Sequence, residues 1–246
     1  MSKQTIHVDL LRIISKYLTK DEQLEYLITN KANYRLIKLW YEINWFDINK
    51  LNDKWKSFVT KINNIYDLDQ LNGINRLKSL ALGWVFNQQI DNLPQSLTSL
   101  TLGLGFNQPL SKDNLPQSLT SLTFYCNSYF NQPIDKLPQS LTSLDLGRNF
   151  NQPIDNLPQS LTSLTLKVSF NQPIDNLPQS LTSLDLGNLF NQPIHNLPQS
   201  LTSLTLSLNF NLPILNLPQS LKKLKIYEKQ LVLIKCPLPP NCKIEF

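Results

Sequence analysis

Glycine is scarce in this chain, at 6 residues in 246, and histidine (2), cysteine (3) and methionine (1) are scarcer still. Each shortage excludes something. Without a glycine-rich stretch there is no phosphate-cradling loop. His7 and His195 lie far apart, and Cys126, Cys236 and Cys242 lack metal-ligand spacing, so no zinc or catalytic cysteine–histidine site is expected. An odd number of cysteines fits free thiols in a reducing compartment. No apolar run approaches 20 residues, and Lys3, Asp9 and Arg12 interrupt the N-terminus. Neither a membrane span nor a signal peptide is therefore expected, and the chain reads as cytoplasmic or nuclear.

Proline, by contrast, is abundant at 16 residues, and it recurs in register with leucine, asparagine and phenylalanine. The stretch FNQPIDNLPQSLTSLTL returns with small changes from Phe86 to Ile226. Phenylalanine opens the copies at 86, 106, 130, 150, 170, 190 and 210; five of the six intervals are 20 residues and one is 24. A fixed period of about 20 with a leucine ladder marks a solenoid. Within the copy at 141–160, Leu144 and Leu146 are two apart, so they share one face of a strand while Asp145 takes the other. Eight such triplets, from Leu77/Leu80/Leu82 to Leu221/Leu224/Ile226, predict eight strands stacked as one parallel sheet.

Pro153 and Pro158 exclude a helical return, because each lacks an N–H and pushes its predecessor out of the helical region. An extended, polyproline-like return is expected. Ile154 and Leu157 would then meet Phe150 and the strand leucines, giving a core of one Phe, one Ile and four Leu per copy. Stacking has to stabilise the copies, since none has enough core to stand alone. The asparagine after each phenylalanine (87, 107, 131, 151, 171, 191, 211) carries donor and acceptor groups and is expected to satisfy unpaired backbone groups coil by coil.

The string F-N-x-P-I-x-x-L-P-x-S-L-x-x-L-x-L resembles the FNIP repeat, a relative of leucine-rich repeats. Its L-P-x-S-L-x-x-L portion is also similar to short repeats of some bacterial effectors. Gln89 and Leu212 are the departures. The resemblance implies a β-solenoid: a curved leucine-rich-repeat-like array with one parallel sheet and non-helical returns. It implies protein recognition and neither catalysis nor a cofactor.

Residues 1–45 have another character. Leu10, Leu11, Ile14 and Leu18 keep helical spacing, Thr19–Glu22 reads as a capping box, and Leu36, Ile37, Trp40 and Tyr41 mark a third helix. Residues 6–18, with Asn30-Lys31 and Tyr34-Arg35-Leu36, resemble a degenerate F-box, with His7 where that family has proline and Asp9 where it has glutamate. This resemblance implies that Leu10, Leu11, Ile14 and Leu18 bind a Skp-type adaptor of a cullin ubiquitin ligase. A helical cap on the first coil is the plainer alternative.

The expected organisation is therefore 1–45 as a small α-helical module, 46–76 as a connecting capping coil, 77–226 as the array and 227–246 as a C-terminal cap. In the second segment Trp55, Phe58, Val59 and Ile62 suggest a first strand, Asn63-Asn64 a turn, and Ile65, Leu68, Leu71 and Ile74 a return. Residues 243–246 are expected to form a last strand.

Charge is uneven. The last 26 residues hold six lysines and two acids, while 76–220 are nearly neutral. Lysines at an exposed sheet edge are a common protection against aggregation, and nucleic-acid binding through them is the less favoured alternative. Between copies, the turn after each strand varies most, and one copy carries insertions at Ser111-Lys112 and within 124–129. Trp84, Leu104, Tyr125, Tyr129, Arg148 and Lys167 from these turns, with Asp145 and Asp185 from the strands, are the candidate partner contacts, since Tyr, Trp and Arg dominate binding hot spots. Glycine begins the turn in four copies but Tyr125, Lys167 and Ser207 replace it elsewhere, so glycine is not expected to be demanded there. Eight strands about 4.8 Å apart would offer a surface about 34 Å long.

Overall fold

The computed structural model describes residues 61–65, 67–110 and 114–246. Within these it is a solenoid of one ten-stranded parallel sheet in sequential order. The strands are β1 (Lys61–Ile65), β2 (Ser79–Leu82), β3 (Ser99–Leu102), β4 (Ser121–Phe124), β5 (Ser143–Asp145), β6 (Ser163–Thr165), β7 (Ser183–Asp185), β8 (Ser203–Thr205), β9 (Lys223–Lys225) and β10 (Lys243–Glu245). The eight strands expected from the leucine triplets are β2 to β9, and the sheet gains one at each end. Leu144, Leu164, Leu184 and Leu204 lie directly opposite one another in register. This uniform register follows from the period of two: a slip by one residue would turn every leucine to solvent.

No α-helix occurs among the described residues; the only helical pieces are 3₁₀ turns at Leu68–Leu71 and Glu228–Leu233. The proline argument is thus met, but the returns are not continuously extended. Each is punctuated by turns, one of which is closed by the Leu161 N–H donating to the Pro158 carbonyl (3.1 Å). The same bond recurs at Leu97, Leu119, Leu141, Leu181, Leu201 and Leu221. Proline fixes the approach to the turn, and the Gln-Ser pair after it reverses the chain towards the next strand.

The core is the one anticipated. Phe150, Ile154, Leu157, Leu161, Leu164 and Leu166 are all buried, as are their counterparts in the other regular copies. The seven phenylalanines form a continuous stack with centroids 6.1–6.4 Å apart and planes within 3–21° of parallel. In the copy with the insertion, Phe124 joins them, 4.2 Å from Phe130.

Four expectations need correction. Asn63 and Asn64 form no turn; they lie inside β1, where the register slips between Ile62 and Ile65 against Leu80 and Leu82. The extra residue is absorbed as a bulge. Ile65 accordingly belongs to the strand, not the return, and its carbonyl accepts from the Gly83 N–H (2.7 Å). Leu68–Leu71 winds into a 3₁₀ turn, with Asp67 capping its start through the Asp69 N–H (3.0 Å). Finally, glycine is demanded in particular copies. Gly187 has φ +64°, and a Cβ there would fall 1.9 Å from the Lys167 carbonyl oxygen; at Gly103 it would fall 2.0 Å from that of Gly83. Ser207 occupies the equivalent place without a positive φ, and its buried hydroxyl donates to the Phe190 carbonyl (2.7 Å). Trp55, Phe58 and Val59, like the expected helices of 1–45, lie outside the described residues.

Candidate functional site

Two polar sides of the array behave oppositely. On the return side most of the recurring polar residues are used up between coils. The backbone N–H of Asn107 donates to Asn87 Oδ1 (2.9 Å), and the same link joins Asn131 to Asn107, Asn151 to Asn131, Asn171 to Asn151, Asn191 to Asn171 and Asn211 to Asn191. This is the expected asparagine ladder. Three further ladders were not read from the sequence. Gln172 and Gln192 amides donate to the preceding Asn carbonyls (both 3.2 Å). The Ser180 hydroxyl contacts the Gln159 and Leu161 carbonyls (2.7 Å each), and Ser118, Ser160, Ser200 and Ser220 do likewise one coil along. The Thr162, Thr182 and Thr202 hydroxyls each donate to the threonine carbonyl one coil back (3.0 Å). The near-identity of Thr-Ser and Pro-Gln-Ser in the six copies from Thr98 to Ser203 was the available signal.

The outward side of the sheet is different. One column runs Ser79, Ser99, Ser121, Ser143, Ser163, Ser183 and Ser203, and the next runs Ala81, Thr101, Thr123, Asp145, Thr165, Asp185, Thr205 and Lys225. Among the described residues the hydroxyls of Ser99, Ser121, Ser163, Thr101, Thr165 and Thr205 make no hydrogen bond within the chain, although they are only half-exposed. Asp145 is the strained member of this column. Its Oδ2 meets Lys167 Nζ at 3.3 Å, yet Oδ1 is buried without a partner. Burial raises its carboxyl above the usual range; Lys167 offsets part of that, and the Asp185 charge adds to it.

Along the turns that follow the strands, apolar side chains stand in solvent. Trp84 and Tyr129 are each 59% exposed and Tyr125 37%. The Trp84 and Tyr125 rings meet edge to face at 6.1 Å and 70°, reaching across the coil of Leu104 between them. That coil is tied to both neighbours by backbone bonds, from the Gly105 N–H to the Trp84 carbonyl (2.7 Å) and from the Tyr129 N–H to the Leu104 carbonyl (3.0 Å). The insertion is what lifts the tyrosines: Ser128 is buried, its N–H donates to the Tyr125 carbonyl (2.8 Å), and its hydroxyl receives the Phe130 N–H (3.2 Å). Trp84, Leu104, Tyr125 and Tyr129 are thus brought together on three successive coils. Arg148 is exposed one coil on, and Lys167 turns to Asp145. Asp185 stands apart from the aromatics, in the same column as Asp145. Val85, Leu189 and Leu208 are also exposed in these turns and were not singled out from sequence. Ser111 and Lys112, like Leu10, Leu11, Ile14 and Leu18, lie outside the described residues.

The FNIP repeat model matches overlapping segments that together cover residues 75–229. The chain belongs to the FNIP repeat family. The match takes in all of β2 to β9 and leaves residues 1–74 outside it. Among solved structures, the FNIP array is similar to the crystal structure of CroV588, described as a novel circular LRR protein, at 38% identity and a TM-score of 0.55. That alignment covers 75% of this chain but 31% of CroV588, so the chain spans about a third of that protein's length. A second similar structure is YopM from Yersinia enterocolitica WA-314, at 21% identity, a TM-score of 0.36, and 74% and 47% coverage. No curated protein matches the chain.

An FNIP, leucine-rich-repeat-like scaffold points to binding rather than catalysis. Among the described residues no group of His, Cys, Asp and Glu is placed to hold a metal ion, and no helix is long and apolar enough to cross a membrane.

Proposed function

We propose that the FNIP array is a protein-recognition surface, and that residues 1–45 dock it on a Skp-type adaptor of a cullin ubiquitin ligase. The observation that carries the first half is the exposed Trp84–Tyr125–Tyr129 cluster beside a row of unengaged hydroxyls. Those aromatics stabilise no core, whereas the rest of the coil is bonded to its neighbours. Large, stiff rings at the centre of a patch and small polar groups around it are what a protein interface uses. Leucine-rich-repeat-like proteins in general bind protein partners, which agrees with this reading.

The adaptor half rests on the F-box-like residues Leu10, Leu11, Ile14 and Leu18. Purified Skp-type adaptor should bind the full chain and lose at least about tenfold in affinity when Leu11 and Ile14 are changed to Asp, the scale expected when charge enters an apolar contact. Unchanged binding, or none by the parent chain, removes the adaptor reading. A second reading, in which the N-terminal residues only cap the array, is favoured by one feature: among the described residues β1 has a partner on one side only. An open sheet edge is normally covered. In that case the Asp substitutions lower the melting temperature of the array and alter no adaptor binding.

A further inference from the structure

The opposite end of the array holds a recess of about 300 Å³ whose walls include Asp185, Thr205 and Lys225 from the sheet, Asn188 from a turn, and the rings of Tyr227 and Phe246. It opens because the turn positions beneath it are nearly empty: Gly187 has no side chain and Ser207 is folded inward. Asp185, Thr205 and Lys225 are directly in register on β7, β8 and β9. Asp185 commits Oδ1 to the Gly187 N–H (3.1 Å), while among the described residues Oδ2 has no partner and the Lys225 ammonium has no ion pair. The neighbouring charges are already matched, Lys223 with Glu245 at 2.7 Å and Lys167 with Asp145 at 3.3 Å. A carboxylate oxygen, a hydroxyl and an ammonium therefore stand uncommitted on three adjoining strands, whose outer two backbones lie two strand steps or about 9–10 Å apart.

We propose that this recess binds a free aromatic α-amino acid as its zwitterion. The ligand's ammonium meets Asp185, its carboxylate meets Lys225, the Thr205 hydroxyl bonds between them, and its ring lies against Tyr227 and Phe246. A zwitterion reaches about 9 Å between its two partners, one charge-assisted contact of about 2.8 Å at each end and about 3 Å from nitrogen to carboxylate across the α-carbon, a span that an aspartate and a flexible lysine two strands apart can bracket. A ligand of one charge sign would leave one wall unpaired, and the volume sits at the small end of ligand sites, which suits a single amino acid. Tyr227 and Phe246 are 44% and 63% exposed, so both rings are available for stacking. This inference is independent of the protein-recognition reading.

The test is calorimetric titration of the full chain with L-phenylalanine, L-tyrosine and L-tryptophan, alongside N-acetyl-phenylalanine and phenylalaninamide, which each lack one charge. At least one free amino acid should saturate a single site, and each blocked analogue should bind at least about tenfold more weakly than phenylalanine. Asp185→Asn should abolish discrimination against the acetylated ligand, and Lys225→Met discrimination against the amide. Should Asp185→Asn disturb the turn through Gly187, Lys225→Met on an exposed side chain carries the same test. The proposal is overturned by no saturable heat up to about 10 mM of any free amino acid, an affinity too weak to specify a site. Binding that survives Lys225→Met with its discrimination intact overturns it equally.

Discussion

The return side and the outward side of each coil share the same hydroxyl residues, serine and threonine, yet they use them in opposite ways. On the return side Asn171, Gln172, Ser180 and Thr182 all bond to the coil before. On the outward side Ser163, Thr165 and Thr205 bond to nothing in the chain among the described residues. The difference is one of geometry. A parallel strand already satisfies its own backbone, so side chains projecting from it are not recruited. The irregular return leaves N–H groups and carbonyls unpaired and must recruit them. Polar residues that do not vary between copies therefore divide into structural ladders and a surface free for a partner. Side of the coil separates the two; residue type does not.

The largest effect expected under this division is in the core both sides share. Phe170→Ala interrupts the ring stack in mid-array and should cost about 3–5 kcal/mol, read as a fall in the urea midpoint. A cost below about 1 kcal/mol would mean that the stack is not continuous. Next comes Gly187→Ala. Its positive φ and the Lys167 carbonyl 1.9 Å from the new methyl should together cost about 1–3 kcal/mol, whereas Ser207→Ala removes the bond to the Phe190 carbonyl and the one accepted from the Asn209 N–H and should cost about 1–2.

Smaller still is the effect on stability of the aromatic turn. Changing Trp84, Tyr125 and Tyr129 together to Ser should move stability by about 0.5 kcal/mol or less while abolishing capture of any partner of the array. A large destabilisation would place those rings in the fold, not at an interface.

The smallest predicted shift belongs to Asp145, where the outward column carries an awkward charge. Its pKa in the folded state lies above the usual 3.8, mainly through burial. The native state therefore holds this proton more tightly than the unfolded chain. Stability falls as pH rises from about 3.8 through the folded pKa, and ionised Asp145 remains a small cost at neutral pH. Asp145→Thr, the residue its column neighbours carry, should raise the melting temperature slightly at pH 7, and the gain should disappear below the unfolded pKa. Loss of stability at pH 7 would mean that the Lys167 contact outweighs burial.

Much of this architecture was legible beforehand. The 20-residue period fixes the number of coils, L-x-x-L-x-L fixes which leucines point inward, and paired prolines exclude helical returns. Asparagine could be read as a ladder because only an amide serves both sides of a stacked turn. The serine and threonine ladders were harder to see, since a hydroxyl serves equally on a free surface, and only the fold says on which side of the coil it sits. Asn63-Asn64 misled because a bulge admits into a strand the residues that favour turns. The Asp145–Lys167 pair is offset by one period plus two residues, so it was recoverable from the repeat once strand and turn were told apart. The Trp84–Tyr125 contact spans two coils and passes over Leu104, a closeness that spacing alone does not reveal.

The most direct test of the division sets two substitutions in adjoining coils against each other by urea denaturation: Asn171→Ala on the return side and Thr165→Ala on the outward side. Asn171→Ala strips the Asn191 N–H of its acceptor and the Gln192 amide of one of its two, leaving it the Asn171 carbonyl, and should cost about 1–2 kcal/mol, while Thr165→Ala should stay within about 0.5. Equal losses, or a greater loss at Thr165, would contradict the account.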